Sequence, residues 1–230
     1  MKVLVIGLGA LGSVYSCLLK NKGHRVAALV REPMVEVIQN QGVSITGIWG
    51  DHETKLDEVV SDLTSLEKVF DLILLTVKSF DTGKMAQEIS HLITPSTYVV
   101  LLQNGYGNSA LNPLGALFGV NYGKLAEVEH TRLLLESIIT EIFELLAVSG
   151  QETLWPDAPT YLRDFYGKMV PTTAAHHASM LQDIQKGRRT EIDALNGAVV
   201  QLGRKYNLRL PVNEVVTAMI KAKEQFINAR

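Results

Sequence analysis

Three glycines near the start of the chain, Gly7, Gly9 and Gly12, stand in the spacing Gly-x-Gly-x-x-Gly directly after the apolar run Val3 to Ile6. A short apolar run feeding such a triplet reads as a buried strand, a tight turn and the start of a helix. Each glycine has a physical task there. Gly7 permits the turn, Gly9 lets backbone approach a pyrophosphate, and Gly12 lets the helix pack close to the strand. Free N–H groups and the dipole at a helix start favour phosphate charge. Gly7, Leu8, Gly9, Ala10, Leu11 and Gly12 are therefore the candidate cradle for a dinucleotide. A purely structural turn is the alternative.

Four more polar residues follow at strand ends. Arg31 and then Glu32 close the second apolar run. An acid at that point would bind the ribose 2′-OH of NAD, whereas a guanidinium suits the 2′-phosphate of NADP. Arg31 thus favours NADP(H), with Glu32 still able to reach a ribose hydroxyl and a solvated loop arginine as the other reading. Lys78 follows the run Asp71 to Val77, and Asn104 follows Tyr98 to Leu102. Ligands bind at the carboxyl edge of open α/β sheets. Lys78 could neutralise a phosphate or carboxylate there, and Asn104 could bond a nicotinamide or a substrate. A solvated lysine and an Asn-Gly turn remain the plain alternatives.

These residues need a scaffold, and the pattern supplies one. A first helix from Ala10 to Lys22 ends at Gly23, and a second strand, Val26 to Val30, completes a mononucleotide-binding half. A short helix from Met34 to Gln39 follows. Val43 to Ile48 and Thr54 to Val60 then read as a hairpin around Trp49-Gly50-Asp51-His52, with Trp49 as packing. Asp71 to Val77 and Tyr98 to Leu102 read as buried parallel strands, joined by a helix from Gly83 to Ile93 that Pro95 closes. Helical periodicity takes over near Tyr122. It predicts helices from Leu125 to Val148, Asp157 to Met169, Pro171 to Gly187, Thr190 to Tyr206 with Thr190 as N-cap, and Pro211 onward. The expected fold is α/β: a Rossmann-like parallel-sheet domain over residues 1–120, followed by an all-helical domain over 121–230.

Composition narrows the function classes. The chain has 230 residues, 47% of them hydrophobic, and a net charge of −2, which points to no nucleic-acid partner and no anionic membrane surface. The single cysteine, Cys17, reads as a packed core thiol. No stretch reads as a signal peptide, a membrane span or a metal site, so a cytoplasmic, soluble protein is the expectation.

The second half carries the most specific stretch. Ser179-Met180-Leu181-Gln182-Asp183-Ile184, Gly187 to Asp193, Asn196-Gly197 and Leu210-Pro211-Val212-Asn213 closely resemble the C-terminal domain of ketopantoate reductases (2-dehydropantoate 2-reductases). The opening glycines, Arg31, Val77 to Thr82 and Leu102 to Asn108 fit the same family. The resemblance implies hydride transfer from NADPH to the keto group of 2-dehydropantoate, giving pantoate for pantothenate and coenzyme A synthesis. It maps cofactor contacts to Gly7, Gly9, Gly12, Arg31, Lys78, Asn104 and Glu191. It maps substrate binding to Ser179, Asn104 and the position of His176, and a catalytic role to Glu191.

Two departures accompany it. The family's segment bearing its general-acid lysine is missing near residue 120, where Phe118-Gly119 runs almost directly into Tyr122-Gly123-Lys124. An asparagine of the family is His176 here. Ketone reduction needs a proton donor at the oxygen as charge develops. Lys124, His176 and His177 are the candidate substitutes, with solvated surface residues as the alternative. A sheet that has lost its last strands exposes an edge, which a helix or self-association into a homodimer is expected to cover.

Overall fold

The computed structural model describes residues 1–47, 50–66, 70–102 and 105–228. The chain divides into two compact units, Met1–Gln103 and Asn104–Arg230. The first is built on β1 (Lys2–Ile6), whose Val3, Leu4, Val5 and Ile6 are wholly buried. An unbroken apolar run of this kind suits a strand covered on both faces, as parallel sheets are. Around it stand α1 (Ala10–Asn21), β2 (Arg25–Leu29), α2 (Glu32–Gln41), β3 (Val43–Ile45), β4 (His52–Thr54), β5 (Glu58–Val60), β6 (Leu72–Leu75), α3 (Thr82–Glu88) and β7 (Tyr98–Leu101).

The main sheet runs β5-β2-β1-β6-β7, all parallel. Ile6 pairs with Leu29 on one side and Leu75 on the other, and Leu29 pairs with Val60. This register brings the ends of β1, β2, β5 and β6 to one edge, where Gly7, Arg31, Ser61 and Lys78 follow. Leu4, Ile6, Ile73, Leu75 and Leu92 fill one core cluster, and Val3, Val5, Val26 and Leu74 another. Each such side chain contributes roughly 1.5–3 kcal/mol by leaving water.

Two strand expectations change. Only Val43–Ile45 and His52–Thr54 form the antiparallel hairpin; Glu58–Val60 leaves it and joins the main sheet beside β2. Asp57 makes that switch, its carboxylate accepting from the Val26 N–H (2.7 Å) and from Lys20 Nζ (2.6 Å). The reading of Trp49 lies outside the described residues. The second change is β7, which is an edge and not a buried strand. Tyr98 is 75% and Leu101 54% exposed, because β7 pairs with β6 alone among the described residues.

The second unit is helical: α4 (Tyr106–Phe118), α5 (Tyr122–Glu127), α6 (Glu129–Ser149), α7 (Ala158–Asp164), α8 (Val170–Thr173), α9 (Ser179–Gln185), α10 (Asn196–Lys205) and α11 (Pro211–Asn228). Its core joins Ala110, Leu114, Leu135, Ile138, Ile139, Phe165 and Ile220. That membership places α4 with the helices, and the two compact units part between Gln103 and Asn104. The segment from 125 to 148 is broken at Val128, with Asn121 capping α5 through the Lys124 N–H (2.9 Å). The segment from 157 to 169 ends as a π-helical turn, Phe165–Met169. The segment from 171 to 187 is two short helices, α8 and α9. Thr190 does not start a helix: it is buried, its hydroxyl accepts from the Ile192 N–H (3.2 Å) within a turn, and its own N–H donates to Glu224 Oε1 (2.7 Å). The residues from 190 to 195 are turns, and α10 starts only at Asn196.

A buried polar chain holds four of these helices. Pro113 lies inside α4 and has no N–H to give the Ser109 carbonyl one turn back. Asn196 Nδ2 from α10 donates to that carbonyl (2.9 Å) and to Asn213 Oδ1 on α11 (2.9 Å). Asn213 Nδ2 donates to Glu141 Oε2 on α6 (2.7 Å). The Glu141 carboxylate also accepts from the N–H groups of Val212 (2.8 Å) and Asn213 (3.0 Å), at the start of α11. A carboxylate from a neighbouring helix thus does the work of an N-cap.

Candidate functional site

The glycine turn is made by backbone and is the best-defined part of the site. Gly7 has φ +94°, a conformation that L side chains rarely adopt, and its N–H donates to the Leu29 carbonyl (3.0 Å). A Cβ on Gly12 would lie 2.0 Å from the Gly7 carbonyl oxygen and 2.7 Å from Thr76 Oγ1. No side chain fits there. Thr76 locks the turn from β6's end, its hydroxyl within hydrogen-bond reach of the carbonyls of Ile6 (3.0 Å) and Gly7 (2.5 Å).

Gly9 is the opposite case. A Cβ there meets nothing within 4 Å, so its requirement is not internal packing. Gly9 is the N-cap of α1, and its carbonyl accepts the first helical bond, from the Ser13 N–H (2.9 Å). Gly9, Ala10 and Leu11 are exposed, and N–H groups in the first helical turn have no acceptor within their helix. This is a cradle that a pyrophosphate fits: open space over Gly9, free donors and a helix dipole.

Arg31 is exposed at the N-cap of α2, next to β2's end. Glu32, its neighbour, does not pair with it. The Glu32 carboxylate instead accepts from the Ser61 hydroxyl, at the end of β5. Lys78 follows β6 on the same edge as the glycine turn and is half-buried at the N-cap of the turn Ser79–Asp81. Asn104 lies outside the described residues.

In the helical unit, Ser179 and Glu191 do come together. With Asn112, Met180, Asp183 and Leu195 they line one recess, which is tight and holds no space for a water molecule. Asn112 and Asp183 are 2% exposed. Asn112 Oδ1 accepts from the Tyr122 hydroxyl (2.7 Å), and Asp183 pairs with Arg188 (2.7 Å). Burial pushes the Tyr122 phenol up to about 12. Neither Asn112 nor Asp183 was reached from sequence chemistry. The available signal was an asparagine followed by proline within an apolar helical run.

The suggested proton donors fare differently. His176 is exposed, does not line the recess, and lies against Tyr122 with ring centroids 5.2 Å apart. His177 pairs by backbone with Asn121. Lys124 is exposed and bonded to Glu127 (2.8 Å), a partner that raises its pKa and makes it a poorer acid. A larger groove, about 410 Å³, lies along α6 and carries Glu136, Glu141 and Glu144 against Arg209. Its acidic wall is ill-suited to an anionic substrate.

Comparison with known proteins places these features. The family model for ketopantoate reductase PanE/ApbA matches residues 3–121, and that for its C-terminal domain matches 100–224. The chain is 33% identical to the 2-dehydropantoate 2-reductase of Aquifex aeolicus, over 98% of each chain, and 25% identical to that of Pyrococcus abyssi, over 97% and 98%. The solved structure of D-mandelate dehydrogenase with NADH and anilino(oxo)acetate superposes with a TM-score of 0.86 at 23% identity, over 99% of this chain and 100% of that one. A ketopantoate reductase from Ralstonia eutropha gives 0.79 at 22%, over 99% and 100%. The Aquifex alignment spans 313 positions against the 230 residues here, so at least 83 of its positions meet a gap. Both family models claim residues 100–121, so the two halves join within that stretch. With matches running from the glycine turn to α11, the chain belongs to the ketopantoate reductase family.

Proposed function

We propose that this chain binds NADP(H) on the turn from Gly7 to Gly12 and reduces a small 2-keto acid, 2-dehydropantoate, as in pantothenate and coenzyme A synthesis. The observation that carries the reading is the cradle itself: open space at Gly9, none at Gly12, and Arg31 beside it with its neighbouring acid engaged elsewhere. The backbone of Leu8, Ala10 and Leu11 completes the phosphate contacts, and Lys78 and Asn104 serve the nicotinamide side. The NADH in the D-mandelate dehydrogenase structure supports a nicotinamide cofactor, and Arg31 favours the phosphorylated form. When bound, that cofactor supplies the hydride. Ser179 offers a hydroxyl to the substrate's polar end, Glu191 orients it or the cofactor, and His176 stands at a substrate-side position of the family.

No described lysine, and neither histidine, lines the recess with Ser179, so reduction runs slowly for want of a proton donor. A second reading follows from the alignment gap: a chain that binds NADP(H) without turning over. Mixing the protein with NADPH and 2-dehydropantoate and following NADPH absorbance separates them. Turnover above background supports the reductase. Binding by calorimetry without turnover supports the second reading, and no binding overturns both. The open β7 edge favours a homodimer in a soluble, cytoplasmic protein. Val100→Lys places a charge on that edge and shifts a dimer to monomer in light scattering.

A further inference from the structure

The acid at the end of β2 is the residue that should compete with Arg31, both as a partner for its charge and as an acceptor for an unphosphorylated ribose. The fold removes it from that contest. The Val30 N–H donates to the Val60 carbonyl (2.9 Å), which brings Ser61 level with the start of α2. The Ser61 hydroxyl then donates to the Glu32 carboxylate, and Gln39 Nε2 donates to the Val59 carbonyl (3.2 Å) further along α2. Two side-chain bonds thus tie α2 to β5, one at each end of the helix. Among the described residues the Arg31 guanidinium has no carboxylate partner, although an acid is its chain neighbour.

We propose that Ser61 is a specificity-determining residue, which sets NADP(H) over NAD(H) by holding Glu32 on β5, away from both Arg31 and a ribose 2′-OH. This rests on the reading that the glycine turn binds a nicotinamide dinucleotide. A dianionic 2′-phosphate needs an unneutralised cation, and a freed Glu32 would cancel that charge and repel the phosphate. The same freed carboxylate would accept a hydrogen bond from the 2′-OH of NADH. Ser61 touches neither cofactor; it acts through Glu32.

The test is a set of binding titrations, by calorimetry, of NADPH and NADH against the wild-type protein and the variants Ser61→Ala, Ser61→Thr, Glu32→Gln and the double variant. Ser61→Ala is expected to weaken NADPH about five- to tenfold and to leave NADH equal or tighter, an effect of the size of a charge-assisted contact. Ser61→Thr keeps the hydroxyl and the wild-type ratio. Once Glu32 is glutamine, Ser61→Ala should change nothing further; a loss of packing at β5 would persist in that background. An unchanged ratio of the two affinities in Ser61→Ala, with wild-type preferring NADPH, overturns the role of Ser61 alone. A wild-type protein that binds neither cofactor overturns the dinucleotide site, and this inference with it.

Discussion

The glycine turn and the helical recess are built in opposite ways. In the turn, everything functional is backbone. Its parts lie within six consecutive residues, helped from a distance by the carbonyl of Leu29 and the hydroxyl of Thr76. The recess is a matter of side chains. Its lining comes from α4, α9 and the turns before α10, residues far apart in the chain. The recess is shaped by a polar chain running through Ser109, Asn196, Asn213 and Glu141, none of which lines it. The contrast teaches that a backbone site needs residues to be small, while a side-chain site needs other residues to hold it.

The sharpest way to break the recess is therefore at a distance. Glu141→Ala leaves the first N–H groups of α11 without their acceptor and the Asn213 amide with the longer bond to the Ile138 carbonyl (3.4 Å). It should cost about 3–5 kcal/mol, measured by urea unfolding. A loss below about 1 kcal/mol would mean that water or another group satisfies those donors, and that the polar chain does not hold α11. The glycine turn should break differently at its two ends. Gly12→Ala puts a Cβ against the Gly7 carbonyl, so it should cost about 2–3 kcal/mol and abolish NADPH binding. Gly9→Ala should leave the unfolding midpoint unchanged while weakening NADPH about tenfold, because a Cβ there meets nothing within 4 Å among the described residues and would stand where the ligand lies. Equal stability losses in both variants would remove that distinction.

Ser179→Ala tests the recess without disturbing its frame. KM for 2-dehydropantoate should rise about tenfold, near the 1.4 kcal/mol of a single hydrogen bond, with little change in unfolding midpoint. The smallest effect is in alkali. Burial raises the phenols of Tyr122 and Tyr161 to about 12 from 10.0. Their raised values add stability that is complete below pH 10 and lost as pH climbs from 10 through 12. Urea midpoints should hold steady to about pH 10 and then fall, and Tyr122→Phe should reduce the slope. A Tyr122 that titrates at its ordinary value in the folded protein would place it at the surface.

Most of the first unit was legible because parallel strands and glycine turns write themselves locally. The run Val3 to Ile6 is apolar throughout because both faces are covered, and Gly23 ends α1 with φ +81° as a C-cap glycine should. The errors share one cause. Tyr98-Val99-Val100-Leu101 looks like any interior strand, and only the lack of a neighbour beyond it makes it an edge. Glu58–Val60 looks like the return arm of a hairpin, and only Asp57 bonding to Val26 and Lys20 carries it to the main sheet. Thr190 looks like an N-cap, but its environment is set by Glu224, thirty-four residues away.

By itself, then, the order of residues settled the backbone-made features: where the turn lies, why glycine is required at Gly7, and which family's pattern the chain follows. Those depend on conformations and spacings within a few residues. Tertiary structure decided the rest: that Glu32 is held by Ser61, that Asn196 answers the carbonyl orphaned by Pro113, and that His176 stays outside the recess. Each of these is a choice among several chemically adequate partners. Only the packing of distant elements selects one, because a hydrogen bond requires its atoms within about 3 Å.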